Sequence, residues 1–320
     1  MNRLAAGAGA AAVAMMLVFA PPRAEAETIA LFVKSNSVIF AAMRVGGGIA
    51  GKTLGAQVVS YVPTTVDNVR EQTKLVEDGI KDKPDAIVLV PVDGAAAGEM
   101  VDKINAAGIP LVNINERVKS GMVVGYVGTD DVALAQTTAR YLLKAMGGKG
   151  NLVILDGPDT NLTAQGRARG FREATKEFPD VKLLAGKSGN YARPGGAQTM
   201  KEFLRSYPQI DGVLAANDPM AIGAVDALKA AGRKAPVVGI NASREVMDLI
   251  KSDDVIGSGD YGSFAQGCLG VEMAVRNLRK EQIPKEVMLK PVVIDKTNLA
   301  PFDQPFEKRA CPTLAGAGGQ

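Results

Sequence analysis

The side chains of this chain that could do chemistry are amides, carboxylates and arginines, not the usual nucleophile and base pairs. The 320 residues include no histidine and only two cysteines, which excludes Ser-His-Asp and Cys-His systems, His-ligated metals and four-thiolate cages. Gly46-Gly-Gly-Ile-Ala-Gly51-Lys52-Thr53 fits the Gly-x-x-x-x-Gly-Lys-Ser/Thr phosphate-binding pattern. That pattern needs a strand leading into the loop and a helix starting at the lysine. Here the preceding apolar run ends near Val33, and Ile39, Met43, Ile49 and Leu54 share one face of a helix running through the match, so the segment reads as helix. Asp130-Asp131 and Asp218 stand at helix starts, where a carboxylate accepts free backbone N–H bonds more readily than it performs acid–base work. Asp253-Asp254 reads as a solvated turn. Arg167 and Arg169 open an amphipathic helix after Gly157-Pro158, where a guanidinium fork beyond a strand end can donate to a polar ligand.

The elements that must position these groups begin after an address signal. Arg3, an apolar run from Leu4 to Ala20 and Ala24-Glu25-Ala26 together predict a secretory signal peptide at 1–26, cleaved after Ala26. The 37 basic and 34 acidic residues nearly cancel, so there is no basic field for nucleic acid. Strands are predicted at Thr28–Val33, Gln57–Val62, Ala86–Val92, Ile109–Ile114, Val123–Val127, Leu152–Leu155, Val181–Ala185, Gly212–Ala216, Val237–Ile240 and Val255–Gly257. Helical periodicity covers Val66–Ile80, Val132–Met146, Ala164–Phe178 and Phe264–Leu278. Alternation of this kind means α/β, with parallel sheets covered by helices on both faces.

An internal echo divides the chain. Asp85-Ala-Ile-Val-Leu-Val passes through Ala106-Ala107-Gly108 to Ile109-Pro-Leu-Val-Asn-Ile-Asn115. Asp211-Gly-Val-Leu-Ala-Ala-Asn217 passes through Ala230-Ala231-Gly232 to Pro236-Val-Val-Gly-Ile-Asn241. Two similar halves follow, each with a buried strand ending in an asparagine. Ligands of open α/β sheets sit beyond the carboxyl ends of the strands, so Asn115 and Asn241 would enter a shared cleft from opposite sides.

Tyr126-Val-Gly-Thr-Asp-Asp131, Gln165-Gly-Arg-Ala-Arg-Gly-Phe171, Ala216-Asn-Asp-Pro-Met-Ala-Ile-Gly223 and Val237-Val-Gly-Ile-Asn241, in this order and spacing, resemble the periplasmic solute-binding proteins of ABC importers. The likeness is to the sugar-binding branch typified by ribose-binding proteins, and it covers nearly the whole mature chain. It implies two doubly wound parallel-sheet domains of the periplasmic binding protein type I kind, joined by a three-segment hinge with the ligand cleft between them. Crossings would fall near Thr129, Tyr261 and Val287, giving an N-terminal domain of 27–129 plus 262–287 and a C-terminal domain of 130–261 plus 288–310. Residues 311–320 would be a C-terminal tail, and the small, flexible composition after Cys311 predicts disorder there.

Carried over residue by residue, the resemblance implies a ligand site of Asn36, Ser37 and Phe40 after the first strand, and Asn115 and Glu116 after the fourth. The second half would add Gln165, Arg167, Tyr191, Asn217 and Asn241, with Tyr261 at the second crossing. Where ribose binders place Asp-Arg this chain has Asn115-Glu116, and Asn241 and Gln165 replace an aspartate and an arginine. The cleft is therefore polar and amide-rich, suited to a neutral polyhydroxy ligand because each amide both donates and accepts. The absence of tryptophan points to a pentose or polyol rather than a hexose. No catalytic residue, metal or cofactor is implied. The expected protein is a monomer of the periplasm that closes on a sugar and is read by a membrane permease. A sensory binding protein serving a chemoreceptor or kinase, and an exported α/β enzyme, are the alternatives. An even pair of cysteines in an exported chain permits a Cys268–Cys311 disulfide, which would pin the tail to a late helix, and two free thiols are the alternative.

Overall fold

The computed structural model describes residues 26–66 and 68–317, so the predicted signal peptide lies outside the described residues, Ala26 excepted. The first half begins with β1 (Thr28–Phe32), α1 (Val38–Leu54), β2 (Gln57–Tyr61), α2 (Val69–Lys81), β3 (Ala86–Leu89), α3 (Gly98–Ala106), β4 (Leu111–Ile114) and β5 (Gly125–Thr129). The second follows with α4 (Asp131–Ala145), β6 (Lys149–Asp156), α5 (Leu162–Thr175), β7 (Asp180–Ser188), α6 (Arg193–Ser206), β8 (Gly212–Ala215), α7 (Asp218–Ala230), β9 (Val237–Ile240), α8 (Arg244–Lys251) and β10 (Gly257–Asp260). The chain closes with α9 (Ser263–Leu278), β11 (Glu286–Leu289), β12 (Val292–Ile294), a 3-10 turn at Phe306–Lys308 and α10 (Leu314–Ala317).

Among the described residues two six-stranded sheets result, ordered β11-β5-β4-β3-β1-β2 and β12-β10-β9-β8-β6-β7. Every pairing is parallel except β10 with β12. The echo is preserved down to single bonds. Asp85 Oδ2 accepts from Thr28 N at 2.7 Å, and Asp211 Oδ2 accepts from Asn151 N at 2.7 Å, so each repeat opens by capping the strand beside it. Burial on both faces explains the fully apolar strands. Ala30 and Phe32 of β1 pack with Val76, Met100 and Ile104 on one side of the first sheet, while Ile29 and Leu31 join the larger core on the other.

The glycines of the phosphate-loop match lie inside α1, as the helical periodicity predicts, and they serve packing. A Cβ on Gly46 would strike Phe264 O, one on Gly267 would strike Met43 O, and Gly47 faces Leu31 and Val271. Thus α1 and α9 approach backbone to backbone. Gly196 against Met220 and Gly170 against Val132 do the same for the α6–α7 and α4–α5 pairs.

Three expectations need correction. The third crossing, expected near Val287 with a boundary at 287/288, falls a few residues later, since Val287 pairs with Val127 inside the first sheet. β11 runs on to Leu289, and the chain changes sheet at Lys290-Pro291 before β12. Residues up to 310 do not all stay with the second half. Asp303 is bound by Arg244 and Lys251 of α8 at 2.9 and 2.7 Å, but Phe306 stacks on Phe264 of α9 with ring centroids 5.9 Å apart. The segment after Cys311 is not without structure: Leu314–Ala317 form α10, and the last three residues of the expected tail lie outside the described residues. Cys268 and Cys311 are joined in a disulfide with Cα atoms 5.6 Å apart, Leu314 N donates to Glu272 Oε2 at 2.9 Å, and the Leu314 side chain is buried.

Candidate functional site

The carboxyl ends of the strands in both sheets deliver the polar residues. Asn115 follows β4 and Asn241 follows β9, both with positive φ, 69° and 131°, a region asparagine tolerates better than most residues. Asn115 N is held by Val127 O at 2.9 Å and Asn241 N by Gly259 O at 2.8 Å, so the echo extends to the site itself. Tyr126 Oη donates to Asn115 O at 2.6 Å and fixes that turn.

The two amides are joined through two further side chains. Asn115 Nδ2 donates to Tyr261 Oη at 2.9 Å. The Tyr261 ring lies 4.9 Å from the Arg167 guanidinium, and Arg167 Nη1 donates to Asn241 Oδ1 at 3.2 Å and to Ala216 O at 2.7 Å. Arg167 is 2% exposed, and its charge is met by Asp131, whose Oδ1 accepts from Nε at 2.8 Å. Burial pushes the Asp131 carboxyl above its ordinary value, and the neighbouring Arg167 charge pulls the other way. Asp130 caps α4 through Val132 N and Ala133 N, as expected of an acidic helix start, which leaves Asp131 free for the ion pair.

Tyr191, on a backbone with φ of 58°, sets its ring 6.0 Å from Arg167. Its Oη and Ser243 Oγ are buried without a hydrogen-bond partner. Burial raises the Tyr191 and Tyr126 phenols to about 12, and that of Tyr261 well above its usual value, so all three are neutral hydroxyls. Asn217 is buried beside them and makes one bond through each end of its amide. Its Oδ1 caps α7 at Met220 N, 3.0 Å away, and its Nδ2 donates to Tyr191 O at 2.9 Å. Asn217 therefore ties the Tyr191 backbone to the head of α7, and one N–H and one lone pair of its amide remain beyond these two bonds.

On the wall built by the first half, Phe40 is buried at the start of α1 with Lys34 Nζ 5.8 Å from its ring. Glu116 Oε2 accepts from Lys34 Nζ at 3.2 Å and its Oε1 from Gly94 N at 2.9 Å. Asn36, Ser37 and Gln165 are not brought into the buried cluster. Asn36 is exposed and accepts from Arg44 Nη2 at 2.8 Å. Ser37 is exposed at the head of α1 without a side-chain cap bond, and exposed Gln165 donates to Asp159 O at 2.7 Å. Arg169 is exposed as well and faces Glu173.

Sequence reasoning passed over Lys34 and Gln266 and read Asp131 only as part of a helix start. Gln266 is fully buried and donates through Nε2 to Tyr261 O at 2.9 Å and Thr129 Oγ1 at 3.2 Å, tying two crossings together. A doubled aspartate where a cap needs one was the available sign for Asp131. Lys34 and Gln266 carried no comparable sign. The cluster is a set of neutral donors and acceptors around the Arg167–Asp131 ion pair, with aromatic faces and the Lys34–Glu116 pair on the wall beside it, and nothing in it forms a nucleophile–base pair.

Comparison with known proteins shows what the chain is similar to. The chain is 33% identical over 235 residues to the xylitol-binding protein of Mycolicibacterium smegmatis, covering 73% of this chain and 67% of that one. It is 30% identical to the D-apiose import binding protein of Paraburkholderia graminis, over 79% of this chain and 81% of the relative. An ABC transporter periplasmic solute binding protein from Actinobacillus succinogenes, solved with bound D-allose, superposes with a TM-score of 0.81 at 30% identity, covering 86% of this chain and 99% of that one. Residues 29–282 match the family described as periplasmic binding protein domain, and with the paired sheets and the buried polar cluster between their strand ends, this chain belongs to the periplasmic binding protein family.

Proposed function

We propose that the protein is the solute-binding component of an ABC importer and encloses a neutral pentose or polyol between its two halves. The observation that carries the reading is the linkage of Asn115 to Asn241 through Tyr261 and Arg167, which joins the strand ends of both sheets in one polar cluster. A ligand with hydroxyls on several carbons meets donors and acceptors from both halves at once, and such differential contact is what stabilises a closed hinge. The orphaned Tyr191 Oη is a ready partner, since buried hydroxyls in folded proteins are nearly always satisfied. Phe40, Tyr191 and Tyr261 supply flat apolar faces without the area of a tryptophan, in keeping with a small ligand. The family is one of binding proteins, not enzymes. Export to the periplasm with cleavage after Ala26, a monomeric state and transient delivery to a membrane permease complete the reading.

The test is a thermal-shift screen of the mature protein with xylitol, D-ribose, D-apiose, D-allose, common hexoses and amino acids, followed by recovery of the ligand. One polyol or pentose should raise the midpoint, because ligand at a hundred times Kd adds about 2.7 kcal/mol to the folded state, and it should be recovered unchanged. Absence of any shift, or recovery of a reaction product, would overturn the proposal.

A further inference from the structure

Asp218 is the residue of the Asn-Asp-Pro segment that the cluster does not touch, yet it is completely enclosed. Its Oδ2 accepts from Ser243 N at 2.7 Å and its Oδ1 from Ser258 Oγ at 2.6 Å. Ser258 Oγ in turn accepts from Ala242 N at 3.0 Å. One carboxylate thus holds two consecutive amides, one directly and one through a hydroxyl. Those amides follow Asn241, and Asn241 and Ala242 both have positive φ, 131° and 49°. Such conformations cost roughly 1–3 kcal/mol each and persist only where the surroundings impose them. β9 is shaped for the carboxylate, since a Cβ on Gly239 would collide with Asp218 Oδ1. The first half lacks this device and fixes Asn115 with the Tyr126 hydroxyl instead.

We propose that Asp218 is a positioning residue of the binding site: it imposes the backbone of 241–243 so that the Asn241 amide meets Arg167 and the enclosed ligand. It touches no ligand itself. The strain at Asn241 and Ala242 is held by charge-assisted bonds, which are stronger than those of a neutral acceptor. Asp218→Asn keeps the shape but turns one acceptor oxygen into a donor facing Ser243 N or Ser258 Oγ. Ser258→Ala releases Ala242 N alone and is the milder variant, should Asp218→Asn fail to fold.

The affinity arm of the test rests on the sugar-capture reading; the exchange arm does not. Hydrogen exchange in the ligand-free protein should quicken at Ala242 and Ser243 by about tenfold or more in Asp218→Asn, and at Ala242 in Ser258→Ala, with distant strands unchanged. Against whichever of xylitol, D-ribose, D-apiose or D-allose binds the wild type, Asp218→Asn should weaken Kd about tenfold, and less than about twofold once Asn241→Ala is already present. Unchanged exchange at both amides, or an equal loss of affinity with and without Asn241, would overturn the assignment. If none of the four binds the wild type, the sugar-capture reading fails, and the exchange result still decides the role of Asp218.

Discussion

Asp218 gives the residue scale its clearest consequence, because a carboxylate with no solvent exposure must take its charge into the fold. Burial raises its pKa from 3.8 to about 6, against the pull of the Ser258 hydroxyl, the Ser243 amide and, more distantly, the Arg167 charge. The folded state therefore holds this proton more tightly than the unfolded chain, so ionisation works against folding. Its contribution is most favourable near pH 4, declines as pH rises towards 6 and is fully lost above that, a change of about 3 kcal/mol. Urea midpoints of wild type and Asp218→Asn between pH 4 and 7 should show the wild type losing ground to the uncharged variant across this window. A constant difference between the two would contradict the burial of the charge. Asn115, Asn241 and Arg167 were legible in the sequence because a polar residue closing an apolar strand, or an arginine opening a helix beyond one, stands out. The role of Asp218 was not, since it depends on Ser258 and Gly239, which are brought together only when three strands align.

Between elements, glycines decide how closely helices pack, and two glycines near one another in the fold make opposite predictions. Gly48 in α1 is exposed, with nothing within 4 Å of a built Cβ, so Gly48→Ala should stabilise the protein by about 0.5–1 kcal/mol through helix propensity alone. Gly267 in α9 would drive its Cβ into Met43 O, so the same change there should destabilise by about 1–3 kcal/mol. Denaturant unfolding of the two variants reads both signs in one experiment, and two changes of the same sign would mean that the α1–α9 contact is looser than described. Helical periodicity through Gly46–Thr53 was enough to set aside a phosphate loop. The late strands were less legible for a physical reason. β10 is Gly257-Ser258-Gly259-Asp260, not the apolar Val255-Ile256 before it, because Gly257 and Gly259 make room for Tyr141 and Thr138 of α4. β11 and β12 are short, with one buried residue each, and so present almost no pattern. Setting the boundary after Val287, a few residues before Lys290-Pro291, followed from that.

At the scale of the molecule, the C-terminal segment is a fourth connection between the halves. Asp303 is bound to α8 of the second half, Phe306 stacks on α9 of the first, and only Gln304-Pro305 lies between. The Asp303 pairs are partly exposed, and ion pairs of that kind contribute little each. The other end is the firm one. Arg309 sits 4.3 Å from the Phe306 ring, Leu314 is buried, and the Cys268–Cys311 disulfide closes a loop with a sequence separation of 43. Loop closure of that length restricts the unfolded chain enough to stabilise the fold by about 2–4 kcal/mol. Reduction, or Cys268→Ser with Cys311→Ser, should therefore lower the thermal midpoint by several degrees while leaving affinity for the stabilising ligand within about twofold, because neither cysteine belongs to the Asn115–Tyr261–Arg167–Asn241 cluster. Calorimetry of the oxidised and reduced protein, with and without that ligand, separates the two effects. A midpoint unchanged on reduction would show that the aromatic and helical contacts hold the segment by themselves. A large loss of affinity with little loss of stability would instead make the segment part of the hinge that closes on the ligand.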